Sequence, residues 1–439
     1  MFQSRSHPGN GFVKASIPVG AIPEGIAYDA AKGELFVANV GSDDVSVIND
    51  TDDTVVATVP VGSQPNVTVN DAGRSEVFVV NTGSDTVSVI NDTNDTVVAT
   101  VPVGVAPVAA AYDETQDRVF VVNQGSQNMS VIDDANDTVA ADVPVGQSPV
   151  GVTYDPAVGQ VYVTNSWSST VTVINGTRDV KVATIPGGFD PSGVGFGPAG
   201  VAYDSVKGEL FIADYDTANV SVINDTTNTR AAVVSVGVAP YGVAYDAGQG
   251  EVYVTNYYSN SLSVINDTTD TVVATVPVYQ GPWGVTYDAG RGEVFVTNTG
   301  SDNVSVLSTA TYSVSFTTNP RACGTIAFDG TLYVDAASAR VPAGYDMVSA
   351  RTCPGYALQS LVGTGSVTVS TGGAVVTGAG GVTATFVKDP VVVGLTGDEV
   401  YFVIGGIGAA LLTTLVAVVS ISWRKGAPTG APSPSILST

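Results

Sequence analysis

Along its first 307 residues the chain repeats a unit of about 42 residues seven times, and any architecture it adopts must be built on that period. The proline that opens each unit stands at Pro23, Pro65, Pro107, Pro149, Pro198, Pro240 and Pro282, at spacings of 42, 42, 42, 49, 42 and 42. A Tyr-Asp pair keeps step at Tyr28, Tyr112, Tyr154, Tyr203, Tyr245 and Tyr287, with Asn70 in place of tyrosine in the second unit. The sixth unit serves as template, and its alternation predicts four short strands, Gly242 to Tyr245, Glu251 to Thr255, Leu262 to Ile265 and Thr271 to Val278, punctuated by Gly, Asn, Asp and Ser. The second strand is apolar on both faces, as in Val252-Tyr-Val-Thr255, which suits a sheet packed between two others. Pro60, Pro102, Pro144, Pro186 and Pro277 lie in the fourth strand, where the missing N–H is tolerated only at an edge. Radially stacked blades satisfy both conditions, so the expected fold is all-β with a seven-bladed propeller over residues 12–308. The seventh unit lacks a fourth strand, and Val13-Lys-Ala-Ser-Ile-Pro-Val-Gly20 matches Val97-Val-Ala-Thr-Val-Pro-Val-Gly104. The N-terminal strand is therefore expected to complete the last blade and remove an open edge.

The tetrapeptides Tyr162-Val-Thr-Asn165 and Tyr253-Val-Thr-Asn256, with variants Phe295-Val-Thr-Asn298 and Phe78-Val-Val-Asn81, resemble the YVTN β-propeller repeats of surface-layer-type proteins. The resemblance covers about residues 12–308 and implies display at a cell surface and binding; related propellers also host enzymes.

Beyond Leu307 the period is lost. Residues 309–390 alternate β-branched runs with Gly-rich turns and are expected to form a small β-sandwich-like spacer. Residues 400–423 carry no charge, and as a helix they would span about 36 Å, enough to cross a bilayer core of about 30 Å. Arg424-Lys425 follow and Asp398-Glu399 precede, which predicts a single-pass anchor with a cytoplasmic tail at 424–439 and the propeller outside. Residues 1–11 are polar, expected to be disordered, and contain no apolar signal segment. Eleven Asn-x-Ser/Thr sequons, from Asn49 to Asn303, fit an exported glycoprotein, although several are simply the Asn-Asp-Thr turn of the repeat.

The balance of 16 basic against 41 acidic residues, a net charge of -25, speaks against nucleic acid as a partner. His7 is the one histidine, so neither a Ser-His-Asp triad nor a His-rich metal site is expected. Cys323 and Cys353 lie outside the repeats and offer one disulfide in an exported protein. No cofactor motif is present, and no catalytic residue or metal ligand is assigned: the acidic turns lack EF-hand spacing.

Departures from the repeat mark the candidate site. On the face that carries the links between blades and the second loop of each blade, units four to six bear Trp167, Tyr215, Tyr257 and Tyr258, where the others carry small polar residues. Tyr241 and Trp283 follow the opening proline, against Glu24, Asn66, Val108, Val150 and Ala199 elsewhere. The seven extra residues of the long interval add Phe189 and Phe196. These rings form an expected ligand-binding patch on the outward face, for a cell-surface glycan or a protein partner. Adhesion, recognition or envelope structure is thus the expected work; the alternative is a metal-dependent hydrolase or lactonase with its site in the central channel.

Overall fold

The computed structural model describes residues 13–186, 197–309 and the strands between 311 and 388. The repeat folds as a seven-bladed β-propeller in which each blade is a four-stranded antiparallel sheet, strands in chain order from the central channel outward in blades 1 to 6. Blade 1 runs Pro23–Asp29, Glu34–Asn39, Asp44–Asn49, Thr54–Pro60. In blade 6 the predicted strands are recovered, the first three with slightly wider bounds, Pro240–Asp246, Glu251–Asn256 and Ser261–Asn266, and the fourth one residue shorter, Thr271–Pro277. The fourth-strand prolines end the outermost strand, exposed, as the donor argument requires. Closure is also as expected: Val13–Pro18 pairs antiparallel with Asn303–Ser308, Ile17 opposite Val304, and supplies the fourth strand of blade 7.

The core lies between blades. One aromatic per second strand, Phe36, Phe78, Phe120, Tyr162, Phe211, Tyr253 and Phe295, is fully or almost fully buried, each contributing about 1.5–3 kcal/mol of hydrophobic stabilisation. Phe211, Val220 and Val222 of blade 5 pack with Val252, Val254 and Ile265 of blade 6. The closing seam is built alike, with Ile17, Phe295, Val304 and Val306 packed on Ile26, Leu35, Val37 and Ile48.

The asparagine that ends the second strand pins that strand to the third. Asn81 Nδ2 donates to Ser88 Oγ at 3.0 Å, Asn123 to Ser130 Oγ at 3.0 Å and Asn256 to Ser263 Oγ at 2.9 Å. Blade 5 has Asp214 instead, which accepts from Ser221 Oγ at 2.7 Å and whose carboxyl burial pushes up to about 7. A raised carboxyl pKa gives stability that is complete below the unfolded value and is lost as pH rises through the folded one. Asp214→Asn is therefore expected to stabilise the protein at pH 8, on the order of 2 kcal/mol, and by less at pH 5. Thermal melts of the two chains at both pH values check this; equal melting temperatures at pH 8 would count against it.

At the opposite face, blades meet through acids. The aspartate ending each first strand is buried and caps its own turn, as Asp71 Oδ1 does for Gly73 N–H at 2.8 Å. The tyrosine before it reaches the acid that follows the third strand: Tyr28 to Asp50 at 2.9 Å, Tyr112 to Asp134 at 3.0 Å, Tyr203 to Asp225 at 3.3 Å and Tyr245 to Asp267 at 3.1 Å. The same hydroxyls also interact with the aspartate of the preceding blade, so Asp288 and Asp50, Asp71 and Asp134, Asp155 and Asp225, and Asp204 and Asp267 each share one tyrosine hydroxyl across a junction, and Asp71/Asp134 and Asp155/Asp225 interact as carboxyl pairs. Asp29/Asp92 forms a further carboxyl pair, at the junction where Asn70 replaces the tyrosine. Burial and then the facing acid push Asp92 up to about 6 and Asp134 up to about 7.

After the propeller, Ala337–Pro342, Thr311–Asn319, Gly373–Lys388, Gly344–Asp346 and Tyr356–Ser370 form a five-stranded sheet, and Thr331–Tyr333, Thr325–Phe328 and Val348–Arg351 a three-stranded one. The expected disulfide Cys323–Cys353, the apolar segment 400–423, the tail and residues 1–11 lie outside the described residues. No helix among the described residues is long and apolar enough to cross a membrane.

Candidate aromatic binding face

Five of the eight predicted rings form one connected patch. Tyr241 and Trp283 lie with centroids 3.7 Å apart and planes inclined by 30°. Tyr257 meets Trp283 edge-on at 5.6 Å and Tyr258 at 5.1 Å, and Tyr215 meets Tyr241 at 6.4 Å and Tyr258 at 6.2 Å. Edge-to-face pairs of this kind contribute about 0.5–1.5 kcal/mol beyond area burial, so the patch is pre-organised by its own packing. Its outermost member, Tyr258, is 65% exposed; the other four are half-buried. Trp167 is 70% exposed and has no ring partner among the described residues, and Phe189 and Phe196 fall outside them.

The repeat itself positions these rings. The threonine of each full Tyr/Phe-Val-Thr-Asn run donates to the backbone carbonyl of the residue after the next blade's opening proline: Thr164 to Ala199 O at 2.7 Å, Thr255 to Trp283 O at 2.7 Å and Thr297 to Glu24 O at 2.6 Å. Inner strands thereby approach so closely that a Cβ on Gly242 would sit 2.3 Å from Trp283 O, which only glycine permits. Gly281, at φ +68°, turns the chain into Pro282 and Trp283; a Cβ there would meet Thr299 Oγ1 at 2.7 Å and the Tyr257 ring at 3.3 Å. Tyr257 and Tyr258 are held by backbone bonds to Ala239 O and Val238 O at 2.9 and 3.2 Å.

Two polar residues at the channel mouth complete the patch, Glu24 and Asn66, which occupy the same register position as Tyr241 and Trp283. Asn66 Nδ2 donates to Glu24 Oε2 at 2.5 Å. Burial pushes the Glu24 carboxyl up to about 7, with the Asn66 bond opposing the shift. Burial, and then the Glu24 charge, push the Tyr241 phenol up, so it remains a neutral donor at physiological pH. In the sequence Glu24 and Asn66 look like background beside the aromatic departures, and only their equivalence in register to Tyr241 and Trp283 marks them.

Beneath the mouth the channel encloses about 190 Å³ and is lined by Gly, Val, Ala and Ile, with Asn66, Thr68, Tyr241 and Trp283. A larger cleft of about 530 Å³ is lined by Ser259 and Asn260, next in the chain after Tyr258, and by Ser235, Ser261, Ser263 and Thr275 with Val236, Gly237, Val272 and Pro277. The cleft is thus rich in hydroxyl and amide groups, and Ser259, which follows Tyr258 in the chain, supplies one of them. No charged side chain is among its lining residues.

No family model matches the chain, and no curated protein matches it. Among solved structures it is similar to a chain of the Kuenenia stuttgartiensis hydrazine synthase, at 18% identity and a TM-score of 0.59, over 66% of this chain and 96% of that one. At this identity the likeness concerns the propeller fold alone.

Proposed function

We propose that this protein is a surface-displayed binding propeller of the YVTN-repeat type, whose patch of Tyr215, Tyr241, Tyr257, Tyr258 and Trp283 holds a carbohydrate. The observation that carries this reading is the connected set of five rings, in contact with one another and with Tyr258 65% exposed at its edge. Sugar rings present C–H faces that pack on aromatics and hydroxyls that need neutral donors and acceptors, and this surface supplies both. Residues 309–390 serve as a β-sandwich-like spacer and 400–423 as a single membrane anchor, which leaves the aromatic face outward and the tail in the cytoplasm. A protein partner anchored on the same rings would use the same hot spots.

A metal-dependent hydrolase in the channel needs several inward carboxylates. None of the residues lining the cavity beneath the aromatic face is a carboxylate; the aspartates that end the inner strands lie at the opposite face, where they cap their own turns. Binding is therefore the better-supported reading. In a solution titration against a panel of neutral oligosaccharides, Trp283→Ala and Tyr258→Ala are each expected to weaken binding about tenfold or more. Unchanged affinity in variants with wild-type melting temperatures would sink the assignment of the site.

A further inference from the structure

We propose that the junction between blades 2 and 3, on the face opposite the aromatic patch, binds one hard divalent cation of the calcium class through the carboxylates of Asp71, Glu76 and Asp134. Each of the three offers an oxygen, and these oxygens all lie within 4.8 Å of one another. Ca²⁺ takes oxygen ligands at about 2.3–2.6 Å, so oxygens around one ion are separated by up to about twice that distance. Asp71 and Asp134 are only 2% and 3% exposed. Asp71 Oδ2 and Asp134 Oδ1 are buried without a hydrogen-bond partner, and so is Oδ1 of Asp137, on the turn beyond Asp134. Their other oxygens are engaged: Asp71 Oδ1 by Gly73 N–H at 2.8 Å and Asp134 Oδ2 by the Tyr112 hydroxyl at 3.0 Å.

The repeat supplies its own comparison. At the junction of blades 1 and 2, Lys32 Nζ donates to the carbonyl of Asp92 and pairs with Glu34 Oε2 at 2.9 Å. At the junction of blades 5 and 6, Lys207 Nζ donates to the carbonyl of Asp267 at 2.5 Å and pairs with Glu209 Oε2 at 2.7 Å. In both, an ammonium sits between the second-strand glutamate of one blade and the acid of the next. The corresponding residue in blade 2 is Arg74, and its ion pairs run instead to Asp117 and Asp134, both at 3.4 Å. Among the described residues no ion pair reaches Glu76. The three carboxylates outnumber the one guanidinium, which Asp117 also shares, and a divalent cation would offset the excess negative charge.

The test is calorimetric titration of the full chain with CaCl₂ after EDTA treatment and dialysis, at about 150 mM NaCl so that diffuse attraction to the acidic surface is screened. One saturable site is expected, with Glu76→Gln weakening it about tenfold or more and Arg74→Gln, which removes the competing cation, tightening it. Glu34→Gln, at a junction already filled by lysine, should leave binding unchanged. Terbium emission excited through tyrosine should follow the same order. Absence of a saturable site, equal binding by Glu76→Gln in a chain with wild-type circular dichroism, or an equal loss in Glu34→Gln would overturn the proposal.

Discussion

A chain lacking residues 1–18 is expected to melt about 10 °C or more below the full protein and to associate in size-exclusion chromatography. The strand Val13–Pro18 supplies the sheet pairing that holds the two ends of the ring together, extended by a bond from Val19 N–H to Asp302 O at 3.2 Å. Its loss removes Ile17, 2% exposed within the seam between blades 7 and 1. It also removes the Lys14 ammonium, which pairs with Glu293 of blade 7 at 2.7 Å and Asp53 of blade 1 at 3.3 Å. What remains is a bare edge along Asn303–Ser308, a template for pairing with another chain. Ile17→Asp in the full chain should reproduce much of the loss without exposing that edge as completely. The peptide Val13-Lys-Ala-Ser-Ile-Pro-Val-Gly20, added in excess to the truncated chain, should restore part of the melting temperature by mass action. A truncated chain that melts as the full protein does would show that the seam does not limit stability.

The second large effect is expected from pH. Asp92 is pushed up to about 6, and Asp134, Asp214 and Glu24 up to about 7, in each case first by burial. Folded acids with raised pKa values bind more protons than the unfolded chain between about pH 4 and pH 7. Stability therefore falls as pH rises through that window, the reverse of a protein held by salt-bridged carboxylates. Four such groups acting in one direction should lower the melting temperature by several degrees between pH 5 and pH 8, at constant ionic strength and with EDTA present to keep divalent cation from Asp134. Asp134→Asn should flatten the profile, because it removes one member of the Asp71/Asp134 pair. A melting temperature that is level or rises over this range would contradict the account of the junctions.

Much of this architecture is legible in the sequence because it is written seven times. The opening prolines fix blade number, the prolines of the fourth strand fix which edge faces out, and the match between residues 13–20 and 97–104 fixes how the ring closes. The aromatic patch was legible for the same reason, as a departure from a regular background. What regularity hides is equally specific. The Tyr-Asp step reads as turn chemistry along the chain, yet its carboxyls meet partners from the next blade more than sixty residues away, as Asp71 meets Asp134. Glu24 and Asn66 are small differences in sequence that matter because ring closure brings them against Tyr241 and Trp283. The role of the threonine in Tyr-Val-Thr-Asn, which grips the carbonyl behind Trp283, needs the distance between inner strands and no one-dimensional pattern contains it.

The central claim is that the frame carries a carbohydrate-binding face on blades 5 to 7. It is tested most directly by titrating the full chain and the double variant Tyr241→Ala/Trp283→Ala with the same neutral oligosaccharides, with Trp167→Ala as the control ring outside the patch. The account predicts saturable binding by the full chain and by Trp167→Ala, and loss of about a hundredfold in the double variant, from two anchors of at least tenfold each. Equal binding by a double variant that still melts as a folded propeller would contradict it.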